Sequence, residues 1–331
     1  MRSQRARLSR RSQLALGAVA ALVALAVIWV SGLVTGSSPA ERAQVSPGAT
    51  MTATTVGADR VTTNPTSHPA ATNPPTSKPA GPVRTTGRSA KKGVSTWDFA
   101  GVGPALSDVG AAWYYNWSVG PTAGAGKSAD FVPMIWGADS VTAANLNRAK
   151  ASGTVLLAFN EPDFAEQANM SVERALDLWP RLQATGLRLG SPAPAVGAAT
   201  PGGWLDRFMA GATQRGYRVD FITVHWYGSD FSAAAVGHLR GYLQAVHDRY
   251  RMPIWLTEFA LIRFGGSGAV YPSAGQQAAF ITGATAMLEK LSFVQRYSWF
   301  ALPTSEGRDG TGLYRDGTTP TAAGAAYRAA G

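Results

Sequence analysis

The 331-residue sequence contains no cysteine. That absence removes disulfides, thiolate zinc sites, cysteine nucleophiles and iron–sulfur clusters together. Only four histidines are present, none at the i, i+4 spacing of a helical metal motif, so no metal site and no cofactor are expected. Acidic residues are almost missing from the first 90 positions, which carry ten Lys/Arg against two Asp/Glu, while residues 91–331 carry twenty against eighteen. The formal charge of +10 therefore belongs mostly to the leader. Nucleic-acid binding needs basic residues gathered on a folded face, and a basic leader excludes that reading. Lacking disulfides does not place the chain in any compartment, because a domain of about 240 residues buries enough apolar surface to stand without them.

The leader divides in two. Arg2, Arg5, Arg7, Arg10 and Arg11 precede an uncharged, mostly apolar run over residues 14–36. A basic region followed by an apolar stretch reads as an export signal, and about 20 apolar residues are enough to span a bilayer as a helix. An uncleaved transmembrane anchor over residues 1–36 is expected, with its N-terminus cytoplasmic and everything downstream outside. Cleavage near residue 40 would instead release a secreted protein. Residues 37–90 are rich in Pro, Thr, Ser and Ala and nearly devoid of large apolar side chains. Such a segment cannot offset its ordering entropy, so a disordered, extended stalk is expected there.

From residue 91 the pattern changes. Short β-prone runs recur at 93–97, 113–117, 131–136, 155–159, 188–191, 221–226, 254–257 and 295–299. Helical patterns at 141–151, 172–184, 204–214, 233–250 and 276–291 lie between most of them, with Gly or Pro at many ends. The segments after the first two strands are less clearly helical. Alternation of strands and helices predicts a parallel sheet inside a helical layer, and eight such units predict a (β/α)₈ TIM barrel over residues 91–331. An open doubly wound sheet usually carries a glycine-rich turn after its first strand; here that strand runs into Ser95-Thr96-Trp97-Asp98.

Barrels of this type gather their chemistry at the C-terminal ends of the strands. The polar residues there are Asn160, Glu161 and Asp163 after the fourth run, His225 and Tyr227 at the sixth, and Glu258 at the seventh. Trp97, Trp117, Trp136, Trp226 and Trp299 accompany them. A lone Glu at a strand end is usually a cap or an ion-pair partner, and a strand Trp is usually core. Two Glu that follow apolar strands, with nothing nearby in sequence to pair them, point further, since a buried carboxylate is costly unless paired or used. Carboxylates ringed by aromatic planes suit a sugar polymer. The run Gly120-Pro121-Thr122-Ala123-Gly124-Ala125-Gly126-Lys127-Ser128 is no phosphate loop, because one glycine is out of place and a strand pattern follows. Asn116-Trp117-Ser118 and Asn169-Met170-Ser171 match the glycosylation pattern but fall inside the expected site.

Asn160-Glu161 after strand four and Glu258 after strand seven resemble the retaining barrel glycosidases. More narrowly, Phe159-Asn160-Glu161-Pro162-Asp163, Gln167-Ala168-Asn169-Met170-Ser171, Val224-His225-Trp226-Tyr227, Trp255-Leu256-Thr257-Glu258-Phe259 and Arg296-Tyr297-Ser298-Trp299-Phe300-Ala301 resemble glycoside hydrolase family 128. The resemblance implies a β-1,3-glucan substrate, Glu161 as acid/base and Glu258 as nucleophile. It further implies Asn160 on the sugar 2-OH, and Tyr227 or His225 orienting Glu258. The five tryptophans are expected to line the sugar path. A monomer is expected, with the polysaccharide as partner and the membrane reached only through the leader. Two alternatives stand beside this reading: a non-catalytic glycan-binding barrel, and a glycosidase for another β-linked polymer such as mannan or xylan.

Overall fold

A computed structural model describes residues 89–265, 268–305 and 308–330. The expected anchor and nearly all of the expected stalk lie outside those residues. Among the described residues no helix is long and apolar enough to cross a membrane.

The strands are β1 Lys92–Ser95, β2 Trp113–Tyr115, β3 Asp130–Phe131, β4 Met134–Ile135, β5 Val155–Asn160, β6 Arg188–Ala193, β7 Ile222–Gly228, β8 Ile254–Leu261, β9 Arg263–Gly265, β10 Gly268–Val270 and β11 Val294–Trp299. Six of them form one sheet in the order β3-β2-β1-β11-β8-β7, and β4-β5-β6 form another. Every pairing in these two sheets is parallel. The two are joined at one edge by a parallel bridge from Gly190 to Phe221. At the other edge the run expected at 131–136 splits into β3 and β4 around Val132-Pro133, because a proline has no N–H to give a ladder. The fold is thus α/β with parallel sheets, as the strand–helix alternation predicts.

Buried on both faces, parallel strands read as apolar runs; all eight residues of β8 are buried. Their side chains divide by face. Trp113, Tyr115, Met134, Leu157, Phe221 and Trp255, drawn from both sheets, pack together in one cluster. The opposite faces pack in a second cluster with the helices, against residues such as Leu176, Trp179, Leu243, Phe280 and Leu288.

Helices Ala143–Ser152, Val172–Gln183, Trp204–Gln214, Ala235–Tyr250 and Ala274–Lys290 stand within two residues of the expected ends. The hydroxyls of Thr142, Ser171 and Ser273 accept the N–H three residues on, and Gln276 completes a capping box with Ser273. Each such cap stabilises a helix by about 1 kcal/mol. The expected elements do not include a seven-residue helix Val102–Asp108, a short 3-10 turn Ala138–Ser140, the antiparallel hairpin β9–β10 or the helix Ala322–Ala329. The glycine-rich run at 120–128 is turn and irregular chain leading into β3, not the loop-to-helix entry of a phosphate site.

Candidate active site

Backbone irregularity aims the site. Strand β5 pairs with β6 through two register shifts, one at 156–158 and one at 158–160. Phe159 (φ 47°) and Glu161 (φ 44°) both take left-handed conformations that non-glycine residues rarely adopt. Bulges beside active sites re-aim side chains, and such residues persist only where their surroundings hold them. Here the Glu161 N–H donates to the Ala193 carbonyl (2.8 Å) and the Asn160 N–H to that of Trp136 (2.8 Å). A further register shift between Val224 and His225 sets the end of β7 against β8, pairing His225 with Glu258.

These devices converge on two carboxylates and an imidazole. His225 is 2 % exposed, with Nδ1 2.9 Å from Glu161 Oε1 and Nε2 3.6 Å from Glu258 Oε1. One ligand atom from each of Glu161, His225 and Glu258 lies within 4.8 Å of the others. Three donors surround Glu258. Trp117 Nε1 donates to Oε1 (2.9 Å), the Tyr115 hydroxyl lies 3.0 Å from the same oxygen, and the Tyr227 hydroxyl donates to Oε2. Tyr227 therefore holds Glu258 directly, while His225 bonds Glu161. Together these donors fix the direction of the Glu258 carboxyl.

Burial raises the Glu161 carboxyl above its ordinary value; His225 pulls it down, and the charges of Glu258 and Asp163 push it up again. Burial disfavours charged His225, but Glu258 and Glu161 outweigh it and leave its pKa raised. Burial first, then the Glu258 charge, drive both Tyr115 and Tyr227 far up, so each keeps its proton and stays a donor. Asp163 is raised by burial against the opposing pull of the Ala195 and Val196 N–H groups.

The three ligand atoms would also fit round a metal ion, drawn from three strands and so invisible to sequence spacing. The donors already aimed at Glu258 argue for proton chemistry instead, because a cation there would face the Trp117 N–H and the tyrosine hydroxyls.

The other expected site residues divide. Asn160 is 4 % exposed and donates from Nδ2 to Gln167 Oε1 (3.1 Å), leaving its buried Oδ1 without a partner. Trp97 stacks on Trp117 (6.5 Å between centroids), and both pack against Phe300. Trp136 packs against the inner cluster. Trp226 and Trp299 turn the other way. Trp226 stacks on Phe280 of the helix Ala274–Lys290, and Trp299 is fully buried, packed on Phe259 and bonded to the Thr311 carbonyl (2.7 Å). The expectation that they line a sugar path is corrected by this placement. Successive strand residues alternate faces, so Trp226 cannot share the face of His225 and Tyr227. Tyr115 and Phe300 were missed: Tyr115 lies in an all-aromatic run where nothing marks the polar end of one ring.

A carboxyl raised above its ordinary value just after β5 and a donor-bound carboxylate this close within β8 fit a glycoside hydrolase site. Residues 104–327 match the family described as glycosyl hydrolase catalytic core. A family 128, subgroup I endo-β-1,3-glucanase from Amycolatopsis mediterranei, solved as a glutamate-to-glutamine variant with laminarihexaose, is 64 % identical. The alignment covers 73 % of this chain and 100 % of that one, with a TM-score of 0.71. A subgroup II endo-β-1,3-glucanase from Sorangium cellulosum is 30 % identical over 73 % of this chain and 98 % of that one (TM-score 0.61). Alkali-sensitive linkage protein 1 of Schizosaccharomyces pombe is 34 % identical over 207 residues, 60 % of this chain but only 36 % of that protein's length. The chain belongs to glycoside hydrolase family 128. Two different glutamates are replaced among the Amycolatopsis structures, and they stand as far apart in that chain's numbering as Glu161 and Glu258 do here.

Proposed function

We propose that this chain hydrolyses β-1,3-glucan internally and with retention of configuration. The observation that carries it is the approach of Glu161 and Glu258 to within 4.8 Å. Retaining glycosidases hold their carboxyls about 5–5.5 Å apart, whereas inverting ones leave about 6.5–9.5 Å for a water. The substrate class rests on the laminarioligosaccharide complexes of the 64 % identical relative. The parallel ladders, the Gly190–Phe221 bridge and the continuity of β3 with β4 support closure into a (β/α)₈ barrel. The five arginines and apolar run at the start support display outside the membrane.

In the first step a Glu258 oxygen attacks the anomeric carbon while Glu161 gives its proton to the departing glycosidic oxygen. The C–O bond breaks and a glycosyl ester forms on Glu258. Glu161, now ionised, takes a proton from water; the hydroxide oxygen bonds to the anomeric carbon and frees Glu258. The buried Oδ1 of Asn160 is an open acceptor for a sugar hydroxyl, and Trp97 and Trp117 offer flat apolar faces to sugar C–H groups. The test is proton NMR of laminarihexaose hydrolysis by the wild type and Glu258→Gln. β-configured short products from the first and no turnover by the second are expected. α-Configured initial products, or a Glu258→Gln protein as active as wild type, would overturn the reading.

A further inference from the structure

The Asp163 carboxylate stands outside the reaction just described, yet it is tied down as firmly as the groups within it. Its Oδ1 accepts the Ala195 N–H (2.7 Å) and its Oδ2 the Val196 N–H (3.3 Å). Those residues begin the loop after β6, and Val196 is 59 % exposed, so burial of its own side chain does not hold it. Two residues back, Glu161 is bonded through its own N–H to Ala193 at the end of the same strand. The segment Glu161-Pro162-Asp163 is therefore clamped to residues 193–196 at both ends, once by backbone and once by side chain. Between the clamps Glu161 holds a left-handed φ of 44°, which an L-residue tends to leave when released.

We propose that Asp163 is a positioning residue for the acid/base: its bonds to Ala195 and Val196 keep the Glu161 carboxyl turned toward Glu258. The proposal rests on the assignment of Glu161 in the preceding reading. Asp163 also acts at a distance. Its charge joins that of Glu258 from β8 in favouring protonated Glu161, against His225 from β7, which favours the ionised form. The His225 charge acts on Asp163 in turn, and the Asp163 charge acts on Tyr242 of the helix Ala235–Tyr250. A group that secures both the direction and the proton of Glu161 influences catalysis without touching the sugar.

Asp163→Ala and Asp163→Asn in the full chain, assayed on laminarihexaose across pH, provide the test. Asp163→Ala is expected to lower kcat about 10- to 100-fold with KM held within about threefold, since displacement of a reacting group by an ångström costs on that order. Asp163→Asn keeps an acceptor for the Ala195 N–H and recovers part of the loss. In both variants the high-pH limb of kcat/KM moves to lower pH, because a negative neighbour that kept Glu161 protonated is gone. If Asp163→Ala does not fold, Asp163→Asn carries the same two readouts. Wild-type kcat in a folded variant, or a kcat loss with the limb unmoved and no recovery by Asn, overturns the proposal. Glu161→Gln separates the two levels. A fully active Glu161→Gln protein sinks the acid/base assignment itself, whereas an inactive one beside unaffected Asp163 variants sinks only the positioning role.

Discussion

At the scale of single residues, the two glutamates owe their difference to their neighbours. Glu161 meets one imidazole and two like charges in a half-buried position, while Glu258 meets three donors. Hydrogen bonds to a charged group are worth about 1.5–3 kcal/mol each, so the ring holds the Glu258 carboxyl in one direction. Tyr227→Phe removes one donor and little volume. It is expected to lower kcat/KM on laminarihexaose about 10- to 100-fold while leaving the thermal midpoint near wild type, which steady-state kinetics and a melting curve check together. Wild-type kinetics would show that Trp117 and Tyr115 suffice. At this scale much was legible in the sequence. Glu161 and Glu258 follow apolar runs of sequence with no local partner, and that contrast is readable without a structure. The tryptophans were not separable so easily. Trp226 sits between two inward residues and must face the helices, but Trp299 follows a register shift between Tyr297 and Trp299 that no sequence pattern announces.

At the scale of elements, the irregularities carry the function and the regular parts carry the fold. The strand and helix periodicities predicted all eight parallel strand runs and five helices because burial on both faces writes apolar runs and capping writes hydroxyls. The bulges in β5 and between β7 and β8 write nothing comparable, since a shift of one residue leaves composition unchanged. The hairpin β9–β10 was lost for a similar reason: it extends directly from β8 through one intervening residue. Where two elements touch closely, glycine does leave a mark. A Cβ at Gly190 would lie 2.5 Å from Thr223 Oγ1 and 2.6 Å from the Phe221 ring. That ring is itself stacked on Trp255 at 4.3 Å, so it has little room to retreat. Gly190→Ala should force β6 away from residue 221 at the bridge between the sheets. Overpacking of this kind costs about 1–3 kcal/mol, which for a domain of this size lowers the melting midpoint by roughly 2–12 °C. Differential scanning calorimetry reads it directly, and an unchanged midpoint would mean that the bridge is not a tight contact.

At the scale of the whole molecule, the chemistry is encoded in one stretch of the chain. All the motifs of the site fall between Trp97 and Ala301, and the match to the glycosyl hydrolase core spans residues 104–327. The described hydrophobic clusters are built wholly from residues after position 93. Residues 1–90 contribute ten basic residues against two acidic ones and no member of the site. Removing residues 1–88 should therefore leave kcat and KM for soluble laminarihexaose within about twofold of the full chain, the spread expected when no interacting group is lost. The same truncation removes the Arg-flanked apolar run, on which the proposed membrane attachment depends. The shortened protein should leave the membrane fraction and appear in the soluble one after cell lysis, with its activity intact. Loss of activity on truncation would show that the leader shapes the active domain. Soluble full-length protein, retaining residues 1–36 by mass, would rule out the anchor and leave the chemistry untouched.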